Sequence, residues 1–133
     1  DKGITQRPLM SSDEIKEWLG LGMDIGAHTK THSDLTKISQ KQVESEIIQS
    51  KERLESQFNI KIVDFCYPFG HFSESVSAIV AKTGYFSATT MVRGRVSHSS
   101  NMFQLPRIPI THHTLPYLFL AKILTNYEDR RGF

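Results

Sequence analysis

The sequence has one cysteine, one tryptophan and no apolar run near the roughly 20 residues that span a bilayer. Cys66 alone cannot close an internal disulfide, so cysteine usage is compatible with oxidising and reducing compartments alike. A basic block is also missing. Sixteen Lys and Arg against fourteen Asp and Glu leave a formal charge of +2, interspersed along the chain, which gives nucleic-acid binding no electrostatic support. There is no internal repeat and no low-complexity stretch. A chain that is 38% hydrophobic and 23% charged falls within the range of globular rather than disordered or membrane proteins. The opening Asp1-Lys2-Gly3-Ile4 is neither a signal peptide nor an initiator methionine, so we expect a natural chain that begins further upstream. The 133 residues are expected to form one domain over 1–133, truncated at its N-terminal side.

The apolar pattern alternates between helical and strand periods, the signature of an α/β fold. A first helix is predicted after Ser11-Ser12-Asp13-Glu14, with Ser11 as cap and Ile15, Trp18 and Leu19 on one face, stopping at Gly20. Met23 to Ala27 reads as a short strand that delivers His28-Thr29-Lys30-Thr31-His32 at its C-terminal end. The longest helix starts at the Ser39 cap, presents Val43, Ile47, Leu54 and Phe58 inward and Glu44, Lys51, Glu52 and Glu55 to solvent, and ends at Asn59. A strand over Lys61–Tyr67 stops at Pro68 and Gly70. A third helix capped by Ser73 carries Val76, Ile79 and Val80, and Tyr85–Thr90 forms the next strand. After a polar loop over 93–104, a short strand is predicted at Arg107–Ile110, and Thr114 is the expected cap of a last helix with Pro116 in its first turn. Such an order predicts parallel strands with both polar loops at one C-terminal edge.

Two constellations at that edge could carry chemistry. His28 and His32 are four residues apart, so on a helical turn both imidazoles share a face and can grip one divalent ion. The alternative is a pair of turn histidines bonded to water and backbone. Thr29 and Ser33 can bond to local backbone and hold such ligands in place. The second constellation is Phe65-Cys66-Tyr67-Pro68-Phe69-Gly70, an apolar strand ending in a turn whose free N–H groups could stabilise an oxyanion and whose rings could line a sugar-sized groove. By itself it reads equally as an ordinary strand-to-loop corner.

Together these segments resemble the polysaccharide deacetylase family, also called the NodB-like domain or carbohydrate esterase family 4. Ile25-Gly26-Ala27-His28-Thr29-Lys30-Thr31-His32-Ser33-Asp34-Leu35 is similar to its His-[Ser/Thr]-x-x-His motif with the usual surroundings. Phe65-Cys66-Tyr67-Pro68-Phe69-Gly70 is similar to the Tyr-Pro-aromatic-Gly variant of its third motif, and Gly84-Tyr85 and Leu105-Pro106-Arg107-Ile108 follow in the family's order. The likeness runs from about residue 10 to 125. It implies an incomplete, distorted (β/α) barrel of parallel strands.

The activity it implies is metal-dependent removal of acetyl groups from an acetylated polysaccharide or oligosaccharide, with no nucleic acid involved and an extracellular or cell-envelope location. The implied metal, zinc above all, is held by His28 and His32 together with an aspartate. The Phe69 N–H is the implied oxyanion donor, Tyr67, Pro68, Phe69 and Gly70 the substrate contacts, and His112 or His113 the candidate acid. No leucine-x-histidine pattern frames either of the last two, which also suit a polar loop leading into a helix. The family's N-terminal Asp-Asp motif, which supplies the general base and the third metal ligand, is absent, and Asp24, Asp34 and Asp64 do not replace it by motif. Cys66 stands where many members have arginine. These departures imply impaired activity for a fragment. They keep open a second reading, a non-catalytic glycan-binding or interaction domain of the same fold, and a third, an α/β domain with incidental histidines.

Overall fold

The computed structural model describes residues 9–130; the expectation about the opening Asp1–Ile4, and the ends of the 1–133 domain, lie outside them. In chain order the elements are α1 (Ser12–Gly20), α2 (Gln40–Phe58), β1 (Asp64–Cys66), α3 (Glu74–Lys82), β2 (Ser87–Arg93), β3 (Leu105–Arg107) and α4 (Pro116–Leu124), with a short turn over Pro68–Gly70. The three strands form a parallel sheet in the order β1-β2-β3. The α/β class and the parallel arrangement thus match the expectation, and among the described residues the sheet is open rather than closed into a barrel.

The helices begin where local chemistry satisfies their free N–H groups. Ser11 Oγ accepts from the Glu14 N–H at 3.3 Å while Glu14 reaches back to the Ser11 N–H at 2.6 Å. Gln42 makes the same return to the Ser39 N–H at 3.0 Å. α2 stops at Asn59, whose φ of 52° cannot continue a right-handed helix. Ser73 caps α3 through the Val76 N–H.

The core lies where α2 and α3 cover one face of the sheet. Val43 and Ile47 of α2, Val76 and Val80 of α3, and Phe65, Tyr67 and Ala88 from the sheet layer are all buried, joined by Ala27, Leu35, Ile62 and Tyr85. Burying a side chain such as Phe65 or Ile47 contributes about 1.5–3 kcal/mol. Tyr67 and Tyr85 each use the phenol as well as the ring. Their hydroxyls donate to the Phe103 and Ile47 carbonyls at 2.8 and 3.2 Å, and burial pushes both phenols up to about 12.

Several expectations need correction. The strand over Met23–Ala27 is reduced to one parallel bridge between Ala27 and Phe65. Arg107–Ile110 is displaced, because Pro109 lacks the N–H a ladder needs, and pairing falls on Leu105–Arg107 instead. Thr114 does not cap α4: its Oγ1 accepts from the Thr111 N–H at 3.0 Å, and Leu115 takes the cap position. Trp18 is 42% exposed because α1 buries none of its residues, and its indole N–H donates to the Asp24 carbonyl instead. The strand expected over Lys61–Tyr67 shortens to Asp64–Cys66, with Ile62 and Phe65 taking the inward positions and Val63 left 41% exposed.

Candidate functional site

Ala27 pairs in parallel with β1, its N–H donating to the Asp64 carbonyl and its carbonyl accepting from the Cys66 N–H, both at 2.9 Å. Parallel pairing makes the two chains leave the sheet at the same edge. The 28–32 segment and the Pro68–Gly70 turn are therefore neighbours.

His28 Nδ1 lies 2.7 Å from the Cys66 carbonyl oxygen. A carbonyl only accepts, so this nitrogen carries the proton and the Nε2 lone pair is left for another partner. The His28 and His32 rings meet edge to face with centroids 4.8 Å apart. An imidazole bound to an ion about 2.1 Å from its nitrogen holds its centroid about 3.2 Å away, so two rings on one ion stand about 5 Å apart. The observed separation suits that arrangement, and neutral imidazole nitrogens suit zinc. Among the described residues, no group of three or more His, Cys, Asp or Glu side chains forms a set able to hold a metal. The Asp34 carboxylate is engaged by Thr36, Lys37 and His71, and Asp64 by the Ser87 hydroxyl at 2.6 Å.

The segment between the histidines is held in an uncommon shape. Thr29 has φ 64° and His32 φ 60°, and Phe69 in the neighbouring turn has φ 58°. Asn59, the remaining non-glycine residue with positive φ, is a helix cap, so backbone strain among the described residues is gathered at this site. Thr29 Oγ1 accepts from the His32 N–H at 3.0 Å. Glu46 of α2 accepts from the Lys30 and Thr31 N–H groups at 2.9 and 2.8 Å, and from the Thr31 hydroxyl at 2.8 Å.

In the second loop the Gly70 N–H donates to the Tyr67 carbonyl and the His71 N–H to the Pro68 carbonyl, and the Phe69 N–H enters neither bond. Phe69 takes φ 58° and ψ 3°, values of a type II turn position where glycine is usual. Of the four residues expected to contact substrate, three face inward. Tyr67 is 1% exposed, and Pro68 and Gly70 are buried, so they shape the turn from within. Phe69 alone opens outward, 56% exposed, with its ring 4.7 Å from His32.

His112 and His113 lie with ring centroids 3.7 Å apart in the turn before α4, and no contact joins either ring to His28 or His32. The turn is closed by Thr111 and Thr114.

Three further residues at the site escaped the sequence reading. Glu46 is three residues from Val43 and four from Ser50, both buried, so an acid on the inward stripe of α2 was the available signal. His71 Nδ1 lies 2.9 Å from Asp34 Oδ2, tying the two loops together, and a shallow hollow of about 390 Å³ lined by Thr36, Lys37, Gly70, His71 and Phe72 runs between them. The Thr36 hydroxyl, then His71 and Lys37, hold the Asp34 carboxyl well below the usual carboxylate range. Arg107 places its guanidinium 3.6 Å from Cys66 Sγ. No local sequence signal marks His71, and Arg107 lies in the Leu105-Pro106-Arg107-Ile108 segment, which the sequence reading placed in order without giving it a site role.

The polysaccharide deacetylase family model matches residues 4–88. The Streptococcus pyogenes deacetylase PplD, solved in complex with acetate, superposes with a TM-score of 0.81 at 27% identity, over 85% of this chain and 50% of that one. A polysaccharide deacetylase from Bacillus cereus gives a TM-score of 0.79 at 32% identity, over 86% of this chain and 36% of that one. YxkH of Bacillus subtilis (strain 168), a protein named for the same family, is 27% identical over 110 residues, which are 83% of this chain and 39% of YxkH. The chain thus spans half or less of the length of these relatives.

Proposed function

Because this chain belongs to the polysaccharide deacetylase family, we propose that it carries the paired-histidine portion of a metal-dependent hydrolase that removes acetyl groups from a polysaccharide. The observation that carries this reading is the pair itself. His28 and His32 stand 4.8 Å apart, and His28 is fixed in the tautomer that leaves Nε2 free by its bond to the Cys66 carbonyl. We assign zinc to these two nitrogens. Such an ion supplies a Lewis acid for the acetyl carbonyl and a water made acidic near neutral pH.

The chain's own residues then have distinct tasks. The Phe69 N–H, unused by its turn, serves as a donor toward the negative charge that develops on the acetyl oxygen. The exposed Phe69 ring gives a sugar an apolar face, and the shallow hollow beside His71 continues that surface. The attacking water must also lose a proton. In the family that task belongs to the Asp-Asp motif, which this sequence does not contain, so we place the base and the third ligand on residues outside it. General-base assistance is worth about 10² to 10⁴ in rate, so the 133-residue chain should hydrolyse only slightly even with zinc present. The family's acetylated polysaccharide substrates are what support a location outside the cell or in its envelope.

The test is acetate release from an acetylated chitooligosaccharide with added Zn²⁺. It compares this chain, its His28→Ala variant and the chain extended by the upstream sequence of its gene. Slight release by the chain and strong release by the extended form, abolished there by His28→Ala, are expected. Inactivity of the extended form, with sugar still bound, would overturn hydrolysis in favour of a glycan-binding domain.

A further inference from the structure

We propose that Glu46 is the positioning residue for the His28–His32 pair, its carboxylate holding the connecting segment in the one shape that brings both imidazoles together. This rests on the reading of the pair as metal ligands.

The reason a holder is needed is the backbone. Thr29 and His32 both have positive φ, at 64° and 60°. A β-branched threonine is among the least tolerant residues there, because its Cβ crowds the backbone. Burial does not compensate, since His28, Lys30, Thr31 and His32 are all exposed. Left to itself such a segment would relax to ordinary φ values and swing the two rings apart.

Glu46 opposes that relaxation at three points. One carboxylate oxygen accepts the consecutive N–H groups of Lys30 and Thr31, at 2.9 and 2.8 Å, and the other accepts the Thr31 hydroxyl at 2.8 Å. Two successive N–H groups converge on one oxygen only when the chain is sharply turned, so these bonds are specific to the turned form. Bonds to an ionised acceptor are also stronger than neutral ones. The carboxylate is itself well fixed: Val43, Ile47 and Ser50 anchor α2 in the core around it. One turn further on, Gln49 Oε1 accepts from Lys30 Nζ at 2.7 Å and steadies the same segment.

A merely structural carboxylate would hold the whole fold, whereas the bonds of Glu46 serve an exposed segment whose N–H groups water could satisfy. Glu46→Ala is therefore expected to leave the thermal midpoint within about 2 °C of the parent and to weaken Zn²⁺ binding by about 10-fold or more, the range seen when groups supporting metal ligands are removed. Glu46→Gln keeps an oxygen able to accept both N–H groups and should return affinity to within about threefold of the parent.

The experiment is Zn²⁺ titration of the chain and of the Ala, Gln and His28→Ala variants by calorimetry. Thermal midpoints and the nuclear Overhauser contacts between the His28 and His32 rings are measured alongside. Weakening in Glu46→Ala with rescue by Gln supports the proposal, and unchanged affinity in Glu46→Ala overturns it. If the parent binds Zn²⁺ no better than His28→Ala, the metal reading fails, and the ring contacts then decide the role of Glu46. Their loss in Glu46→Ala upholds it as the positioning residue, and their persistence removes it. Should the Ala variant not fold, the proposal is overturned in favour of a structural role.

Discussion

Gly70→Ala should destabilise the protein far more than an ordinary glycine substitution, and the structure separates the reasons. Gly70 has φ 71°, and a Cβ there would lie 2.2 Å from Met91 Cγ, 2.4 Å from Met91 Cβ and 2.6 Å from the Met91 backbone nitrogen. The outer part of Met91 is exposed and can swing away, but its nitrogen belongs to β2. Left-handed alanine costs about 1–2 kcal/mol. Overpacking against a fixed backbone adds about 1–3 kcal/mol, and the stiffer unfolded chain returns about 0.4–1 kcal/mol. The net expectation is a loss of about 2–4 kcal/mol, read from equilibrium urea unfolding as a lower midpoint at constant slope. Gly22→Ala is the internal control. Gly22 has φ 80° with nothing within 4 Å of the added carbon, so it should show only the backbone cost less the same unfolded-chain return, a net loss of about 0–1.5 kcal/mol. Met91→Gly in the Gly70→Ala background removes the two side-chain clashes and should recover part of the difference. Equal losses at Gly70 and Gly22 would refute the claim that the Phe69 turn is clamped against β2.

Other perturbations test the core and the C-terminal segment. Tyr67→Phe removes the 2.8 Å bond to the Phe103 carbonyl and should cost about 1 kcal/mol with the fold intact, measured by the same denaturation. Glu128 is fully buried, with Lys122 Nζ 2.7 Å and Arg93 3.5 Å away, neither aligned as a hydrogen bond. Lys122→Met leaves that carboxylate with Arg93 as its remaining cation among the described residues and should destabilise by about 2–4 kcal/mol, whereas a neutral outcome would mean that the pair contributes nothing. The Ile62 N–H, donating at 3.0 Å, holds the Glu55 carboxyl below its ordinary 4.5. A depressed folded pKa contributes stability that is complete above about pH 4.5 and lost as pH falls through the folded value. The difference in thermal midpoint between the parent and Glu55→Gln should therefore be largest near pH 6 and shrink toward pH 3. A constant difference would exclude the linkage.

Helices were legible wherever a local rule decided them. The Ser11, Ser39 and Ser73 caps and the stop at Asn59 involve residues within a few positions of one another, and each was readable from spacing alone. Strand limits were less legible because pairing, not propensity, sets them. Met23–Ile25 has strand-like residues, yet the sheet accepts only Ala27. The exposure of Trp18 was hidden for a related reason. Its amphipathic helix face exists, but among the described residues it is covered only in part, with Ile15 and Leu19 half-buried and no α1 residue fully buried. At the site, the histidine spacing was visible while its holder Glu46 was not, since that residue is 14 to 18 positions from the histidines, and the approach of Arg107 to Cys66, 41 residues away, was hidden for the same reason.

The site and the fold share one register, which ties a functional error to a folding error. Because Ala27 bridges Phe65, the next carbonyl along β1, that of Cys66, falls opposite the residue after Ala27, and His28 Nδ1 takes it at 2.7 Å. Gly26 permits the approach: a Cβ there would already stand 3.0 Å from the Asp64 carbonyl oxygen that receives the Ala27 N–H. A slip of one residue would turn the buried Phe65 outward, at a cost of about 1.5–3 kcal/mol. It would also offer His28 an N–H-bearing unit out of step with its ring, and the nitrogen would lose the acceptor that fixes its tautomer. The hydrophobic term that selects the register therefore also selects the protonated nitrogen of His28. No metal is needed for that choice, so the His28 tautomer should already be set in the metal-free protein.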